Sequence, residues 1–110
     1  MESLFQEQIE HLEEKHFLVL YWVAQAEDRH VPYNITNCFD DLKLADITRT
    51  KQNAVAAVET LSALRFLDVR GKGNRKNLFI TPHGARALQY LVTHARFTPR
   101  PSIFLEGNKR

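Results

Sequence analysis

A single cysteine, Cys38, among 110 residues removes two classes of protein together. No intramolecular disulfide can close, and no structural zinc site can be assembled from cysteine pairs. The longest unbroken apolar run, Phe17 to Ala24, is far shorter than the ~20 residues that span a bilayer. Met1-Glu2-Ser3 lacks the basic opening of a signal peptide, so a soluble, untargeted chain in the reducing cytoplasm is expected. Four Gly and four Pro are too few for a collagenous or low-complexity chain. The five histidines, at 11, 16, 30, 83 and 94, show no metal-ligand spacing. Gly71-Lys72-Gly73 lacks the spacing of a phosphate-binding loop. Cys38 has no base partner in the sequence and reads as a small core residue. Neither an enzyme, a cofactor nor a metal is expected.

What is present is charge, unevenly placed. Residues 1 to 47 hold three Lys and Arg against ten Asp and Glu, a balance of −7, and residues 48 to 110 hold twelve against three, a balance of +9. A clustered positive surface attracts nucleic acid by releasing its condensed counterions. The competing explanation is an acidic half that docks on a basic half inside one fold.

The length suits one domain. From Leu4 to Glu27 there is no Gly or Pro, and Phe5, Ile9, Leu12, His16, Val19 and Val23 recur at helical spacing. This predicts one long N-terminal helix whose second half, apolar on every side, is buried from several directions; a buried strand at 17 to 23 is the alternative. A short second helix, capped by Thr36 or Asn37, carries Phe39, Leu42 and Ile47 on one face. A third, capped by Thr48 or Thr50, turns Ala54, Ala57, Val58, Leu61 and Leu64 inward. Phe66, Val69, Leu78 and Ile80 then alternate with polar or outward positions around Gly71-Lys-Gly-Asn-Arg-Lys76, a hairpin pattern. Thr81-Pro82 reads as an N-cap followed by proline at the first helical position. It opens a last helix with an apolar stripe of Ala85, Leu88, Leu91, Val92 and Ala95. Pro99 and Pro101 end that helix, and 98 to 110 reads as a tail bearing Ile103-Phe104-Leu105.

The order α-α-α-β-β-α is that of a winged helix-turn-helix, a mainly α fold with a small β-hairpin. Residues 16 to 95, and above all Ile80-Thr-Pro-His-Gly84 followed by Leu88, resemble the strand-to-helix passage "L-T-x-x-G-x-x-x-L" of the MarR/PadR superfamily of regulators. Arg65 stands where that family usually has glycine. In place of its Asp-x-Arg wing pattern the tip offers Lys72, Asn74, Arg75 and Lys76. The resemblance implies a homodimeric transcriptional regulator that binds double-stranded DNA.

On the third helix Arg49, Thr50, Lys51, Gln52 and Asn53 occupy the turns that would enter a major groove, with Val55, Ala56 and Glu59 on the same side. Gln52 or Asn53 can pair bidentately with adenine, Arg49 or Lys51 can reach guanine or phosphate, and Val55 or Ala56 can meet a thymine methyl. Lys72, Arg75 and Lys76 suit phosphate contact at the wing. Surface helices are ordinarily polar and loops ordinarily solubilising, so both patches also have a bland explanation. Asp40, Asp41 and Asp46 would lie near the phosphates and repel them. Phe5, Ile9 and Leu12, with Ile103 to Leu105, look like apolar surface without an internal home, which favours a dimer with the first and last helices at its interface. A protein–protein interaction module, docking through the acidic half or the Phe104 tail, is the alternative function.

Overall fold

The segment Phe17–Ala24 is helical and lies at the centre of the molecule. The computed structural model describes residues 2–71 and 76–107. Its elements are α1 (Glu2–Glu10), α2 (Glu14–Asp28), α3 (Ile35–Leu44), α4 (Lys51–Ala63), β1 (Leu67–Arg70), β2 (Asn77–Ile80), α5 (Pro82–Thr93) and α6 (Ile103–Gly107). Phe17, Leu18, Val19, Leu20, Trp22 and Val23 are all fully buried, and Tyr21 and Ala24 are half-buried, so α2 is enclosed on most sides along this stretch. It packs against α3, α4, α5 and the hairpin. Helical spacing therefore prevails over the β-branched and aromatic content that made a strand the alternative.

The expected single N-terminal helix is instead two. The chain breaks at residues 11–13, where the side chain of Glu13 caps α2 and the imidazole Nδ1 of His16 accepts the Glu13 N–H at 2.9 Å. This reciprocal arrangement is a capping box built from Glu and His rather than the usual Ser or Thr with Glu. It turns α1 back so that Ile9 and Leu12 are buried within this chain, at 0% and 3% exposure. Arg96 donates to the Ile9 and Glu10 carbonyls at the end of α1, which satisfies acceptors that the helix leaves open.

The N-cap of α3 lies two residues before Thr36 and three before Asn37, the caps expected. Asn34 is its N-cap, and Asn34 and Asn37 exchange side-chain to backbone hydrogen bonds at 2.8 and 3.2 Å. Thr36 and Asn37 therefore lie inside the helix. The α4 helix is capped by Thr50, whose hydroxyl accepts the Asn53 N–H, and its inward face of Ala54, Ala57, Val58 and Leu61 is buried as expected.

Four helices end in the same unusual way. His30, Asp46, Arg65 and Ala95 have φ of 56°, 61°, 67° and 49°. In each case the next residue's N–H reaches back to a carbonyl five positions earlier, as in Phe66 to Leu61 and Ile47 to Leu42. These are Schellman terminations, which normally use glycine in the left-handed position. Here non-glycine residues stand in it, so the sequence carries no glycine stop signal. Arg65, where the MarR/PadR resemblance leads one to expect glycine, is one of them.

The hairpin pairs Leu67 with Ile80 and Val69 with Leu78 in antiparallel register. Beside β2, Asn34 forms a bridge to Asn77. The Leu78 N–H donates to the Tyr33 carbonyl at 2.8 Å, and the Ile35 N–H donates to the Lys76 carbonyl at 3.2 Å. The wing base is thus fastened directly to the start of α3. From the other side, the carboxylate of Glu27 on α2 accepts the Ile80 N–H.

Thr81 and Pro82 open α5 as expected, with the Thr81 hydroxyl accepting the Gly84 N–H at 2.9 Å. The buried face of α5 is Gly84, Ala87 and Leu91; of the predicted stripe Leu91 is buried and Leu88 half-buried against the core. Ala85 and Ala95 are exposed, and Val92 is 50% exposed. Beyond α5 the chain returns along α2 and α3. The Trp22 indole N–H donates to the Arg100 carbonyl at 2.8 Å, Arg100 donates to the Ala45 carbonyl at 2.7 Å, and Leu105 is 1% exposed in the core. No helix of the described residues is long and apolar enough to cross a membrane.

Candidate nucleic-acid interface

The turn between α3 and α4 is set by buried polar contacts. Asp46 takes the left-handed position, Thr48 is buried at 7% exposure, and its hydroxyl donates to the Thr50 carbonyl at 3.2 Å. This orients the first turn of α4 so that Arg49, Thr50, Lys51, Gln52 and Asn53 are all exposed on one end of the helix. Arg49, Gln52 and Asn53 present charge and amide groups to solvent. The Thr50 hydroxyl is already engaged as the helix cap. The Lys51 ammonium donates to the Thr36 hydroxyl at 3.3 Å, so Lys51 spans from α4 to α3. That contact brings Thr36, which the sequence had suggested only as a cap, to the rim of the surface.

Lys76, Val69 and Ile35 face Val55, Val58 and Glu59 across a groove between α4 and the wing. Lys76 therefore stands beside the outward face of α4, while Lys72, Asn74 and Arg75 lie outside the described residues. The Asp-x-Arg pattern that the tip lacks is present one strand earlier, as Asp68-Val69-Arg70. Arg70 pairs with Asp68 at 2.8 Å and lies 4.5 Å from the centre of the Phe79 ring. The ion pair and the cation–π contact together hold this exposed guanidinium against the hairpin. The sequence reading, centred on the glycine-rich tip, missed it.

Of the three aspartates expected to repel phosphate, one is turned away from solvent. Asp41 is 2% exposed and faces inward, where its carboxylate accepts from the Tyr33 hydroxyl at 2.6 Å, the Ser102 hydroxyl and the Phe104 N–H at 3.1 Å. A buried carboxylate without a cation is tolerated because each of these donors points at it. Burial first, then its neighbours Cys38 and Asp41, pushes the Tyr33 hydroxyl far up and keeps it a donor. Burial and Asp41 likewise raise the Cys38 thiol; this cysteine is fully buried and stays protonated. Asp40 and Asp46 remain exposed.

The charge asymmetry has a mixed origin. Arg100 pairs with Glu14 at 3.2 Å and Arg29 lies 4.0 Å from Glu106, so the two halves do meet through ion pairs. Arg96 is occupied by α1 carbonyls. Arg49, Lys51, Arg70 and Lys76 are left on the α4 and wing side. Among the described residues no group of three His, Cys, Asp or Glu side chains is arranged to hold a metal.

Among solved structures, the chain is similar to TubR from Bacillus megaterium pBM400, with 20% sequence identity and a TM-score of 0.68 over 84% of this chain and 99% of that one. It is also similar to AF1382 from Archaeoglobus fulgidus, with 10% identity and a TM-score of 0.62 over 78% of this chain and 89% of that one. No protein-family model matches the chain, and no curated protein does. At these identities the likeness establishes the fold. It agrees with the order of helices and hairpin in a winged helix-turn-helix, a mainly helical architecture with one two-stranded antiparallel wing.

Proposed function

We propose that this chain is a sequence-specific double-stranded DNA-binding transcriptional regulator of the MarR/PadR type, acting as a homodimer. One observation carries the reading: Arg49, Lys51, Gln52 and Asn53 are exposed at the start of α4, and Lys76 lies across the wing groove from Val55 and Glu59 of the same helix. The α4 helix enters the major groove by its N-terminal turns, where Gln52 and Asn53 read base edges. Arg49 and Lys51 engage guanine or phosphate, Thr50 fixes the helix start, and Lys72, Asn74, Arg75 and Lys76 meet the backbone or the minor groove. The burial of Asp41 supports this reading by removing one of the three charges that would oppose phosphate.

Of the first and last helices that the sequence suggested for the dimer interface, the last one carries the proposal. Ile9 and Leu12 are buried within the chain, as is Leu105, and Phe5 packs on Phe66 and His83. The outward strip on α5 is Ala85, Leu88 and Val92, which with Ala24 of α2 and Ile80 of β2 lines a depression that also has Glu27, Asp28 and Gln89 in its wall. Isologous packing of two such strips would set two recognition helices on successive major grooves. An interaction module without specific DNA binding is the second reading, favoured by Leu44 and Ile103, exposed at 65% and 52%.

The test is selection of preferred duplexes from a random pool, followed by competition of the selected sequence against random DNA. Gln52→Ala and Asn53→Ala should each reduce discrimination by about 1–3 kcal/mol, the worth of a good bidentate base contact. Equal losses on selected and random DNA would remove both residues from base reading.

A further inference from the structure

The two edges of the wing differ. One step beyond the Leu67 and Ile80 pair, the Thr81 N–H donates to the Phe66 carbonyl at 3.2 Å. Antiparallel pairs alternate between bonded and non-bonded, so Asp68 bonds Phe79 and Arg70 bonds Asn77, while Val69 of β1 and Leu78 and Ile80 of β2 turn their backbone groups outward. On the β2 edge that row is taken. The Leu78 N–H donates to the Tyr33 carbonyl, the Lys76 carbonyl accepts the Ile35 N–H, and the Ile80 N–H donates to the Glu27 carboxylate. On the β1 edge the outward N–H and C=O of Val69 meet no hydrogen-bond partner among the described residues.

An open strand edge is a template for another strand, and charged side chains normally blunt it. Half-buried Val69 is flanked by two, Asp68 and exposed Arg70. They deter an arbitrary strand, yet in one arrangement they complement each other. In an antiparallel pair about a two-fold axis at Val69, Val69 faces Val69 of the second copy, and residue 68 faces residue 70. Asp68 then meets Arg70 of the second copy at both ends of the pair, in the non-bonded positions where side chains come closest. A slip of two residues either way sets Asp68 against Asp68 or Arg70 against Arg70, and a slip of one turns the side chains to the wrong face. Only one register is favourable.

We propose that β1 is a self-association edge, on which two copies of this chain join β1 to β1 across a two-fold axis at Val69 and make one four-stranded sheet from two wings. The α5 strip adjoins Ile80 on the other edge of the hairpin, so this is a separate contact. Because the paired strands run in opposite directions, the two hairpins point away from each other and cannot both lie along one duplex. The paired form is therefore a resting state that DNA dissolves. This second half rests on the DNA-binding reading; the pairing does not.

Disulfide trapping in the full chain tests the pairing. The two Val69 Cα atoms would stand about 5.5 Å apart, within disulfide reach, and the native Cys38 is fully buried. Val69→Cys should give a covalent dimer on mild oxidation, and more slowly at high salt, which screens the charge pairs. Adding Arg70→Asp to one sample and Asp68→Arg to another sets like charges opposite each other and should slow trapping about fivefold or more in each. Mixing the two samples restores opposite charges and should recover the rate, which also shows that both variants fold. Absence of a covalent dimer, salt-independent trapping, or equal rates before and after mixing overturns the pairing. A saturating duplex selected for binding should slow trapping of Val69→Cys about fivefold or more, and an undiminished rate overturns the resting state. Failure to bind any duplex would instead refute the proposed function, leaving the trapping to decide the pairing.

Discussion

The carbonyl oxygen of Phe66 lies 2.0 Å from the position a Cβ on Gly84 would occupy. That distance explains the glycine of the Thr81-x-x-Gly84 passage: the first turn of α5 rests directly on the backbone leaving α4. Thr81 completes the joint, its hydroxyl bridging the Arg65 carbonyl and the Gly84 N–H. Gly84→Ala must therefore push backbone against backbone. It should cost about 3 kcal/mol, the upper end of overpacking penalties, read as a lower urea midpoint. An unchanged midpoint would mean that α5 shifts away without loss.

Thr81→Ala removes the same joint's hydroxyl without a clash. The expected loss is about 0.5–2 kcal/mol of stability, with base preference unchanged in competition assays. Altered DNA preference at normal stability would make Thr81 a contact residue instead of a cap.

The left-handed helix ends offer an opposite test. Ala95 is exposed at φ 49°, a conformation that costs an L-residue with a Cβ about 1–2 kcal/mol and glycine almost none. Ala95→Gly should raise stability by up to about 1 kcal/mol, since added unfolded-state entropy offsets part of the gain. A fall in Tm would contradict the assigned termination.

Asp41 holds the C-terminal segment to α3 through Ser102 and the Phe104 N–H. Asp41→Ala strands buried donors and should cost about 3 kcal/mol, since hydrogen bonds to a charged group are each worth about 1.5–3 kcal/mol. Cleavage near Ser102 by dilute protease should accelerate in that variant. Wild-type resistance to cleavage would show that the segment is held by apolar packing alone.

His16 predicts a pH dependence. Burial, then Lys15, lowers its pKa below the ordinary 6.5, while Glu13 acts in the opposite sense. The unfolded chain therefore takes up the proton first on acidification. The stability from neutral His16, whose Nδ1 accepts the Glu13 N–H, is complete above about pH 6.5 and is lost as pH falls below it toward the folded-state value. His16→Gln keeps an acceptor at the third position of the capping box and should remove this component from the pH profile of urea midpoints. An identical profile would assign the dependence to other groups.

The order of elements, the Thr50 and Thr81 caps and the inward face of α4 were legible because each has a local cause: helical spacing, a hydroxyl before a helix, proline at the first position. The break between α1 and α2 was not. Glu13 and His16 form a box outside the usual residue types, and neither Gly nor Pro marks the turn. The start of α3 was misplaced because Asn34 and Asn37 are both good caps and only the fold shows which one sits outside the helix. Asp41 read as surface charge because its partners, Tyr33 and Ser102, come from distant parts of the chain. At the interface, Gln52 and Asn53 were legible as exposed helix positions. Arg70 was passed over because its pairing with Asp68 and its stacking on Phe79 depend on hairpin register.

The most direct test of the central claim is the salt dependence of duplex binding. With phosphate contacts from α4 and the wing, log K should fall linearly with log salt, by about 0.9 per contact. Changing Arg49, Lys51 and Lys76 together to Ala should make that slope shallower by about three such increments, with the helical content of the protein unchanged. A wild-type affinity that does not vary with salt, or a slope that the triple substitution leaves intact, would contradict the assignment of α4 and the wing as the DNA-binding surface.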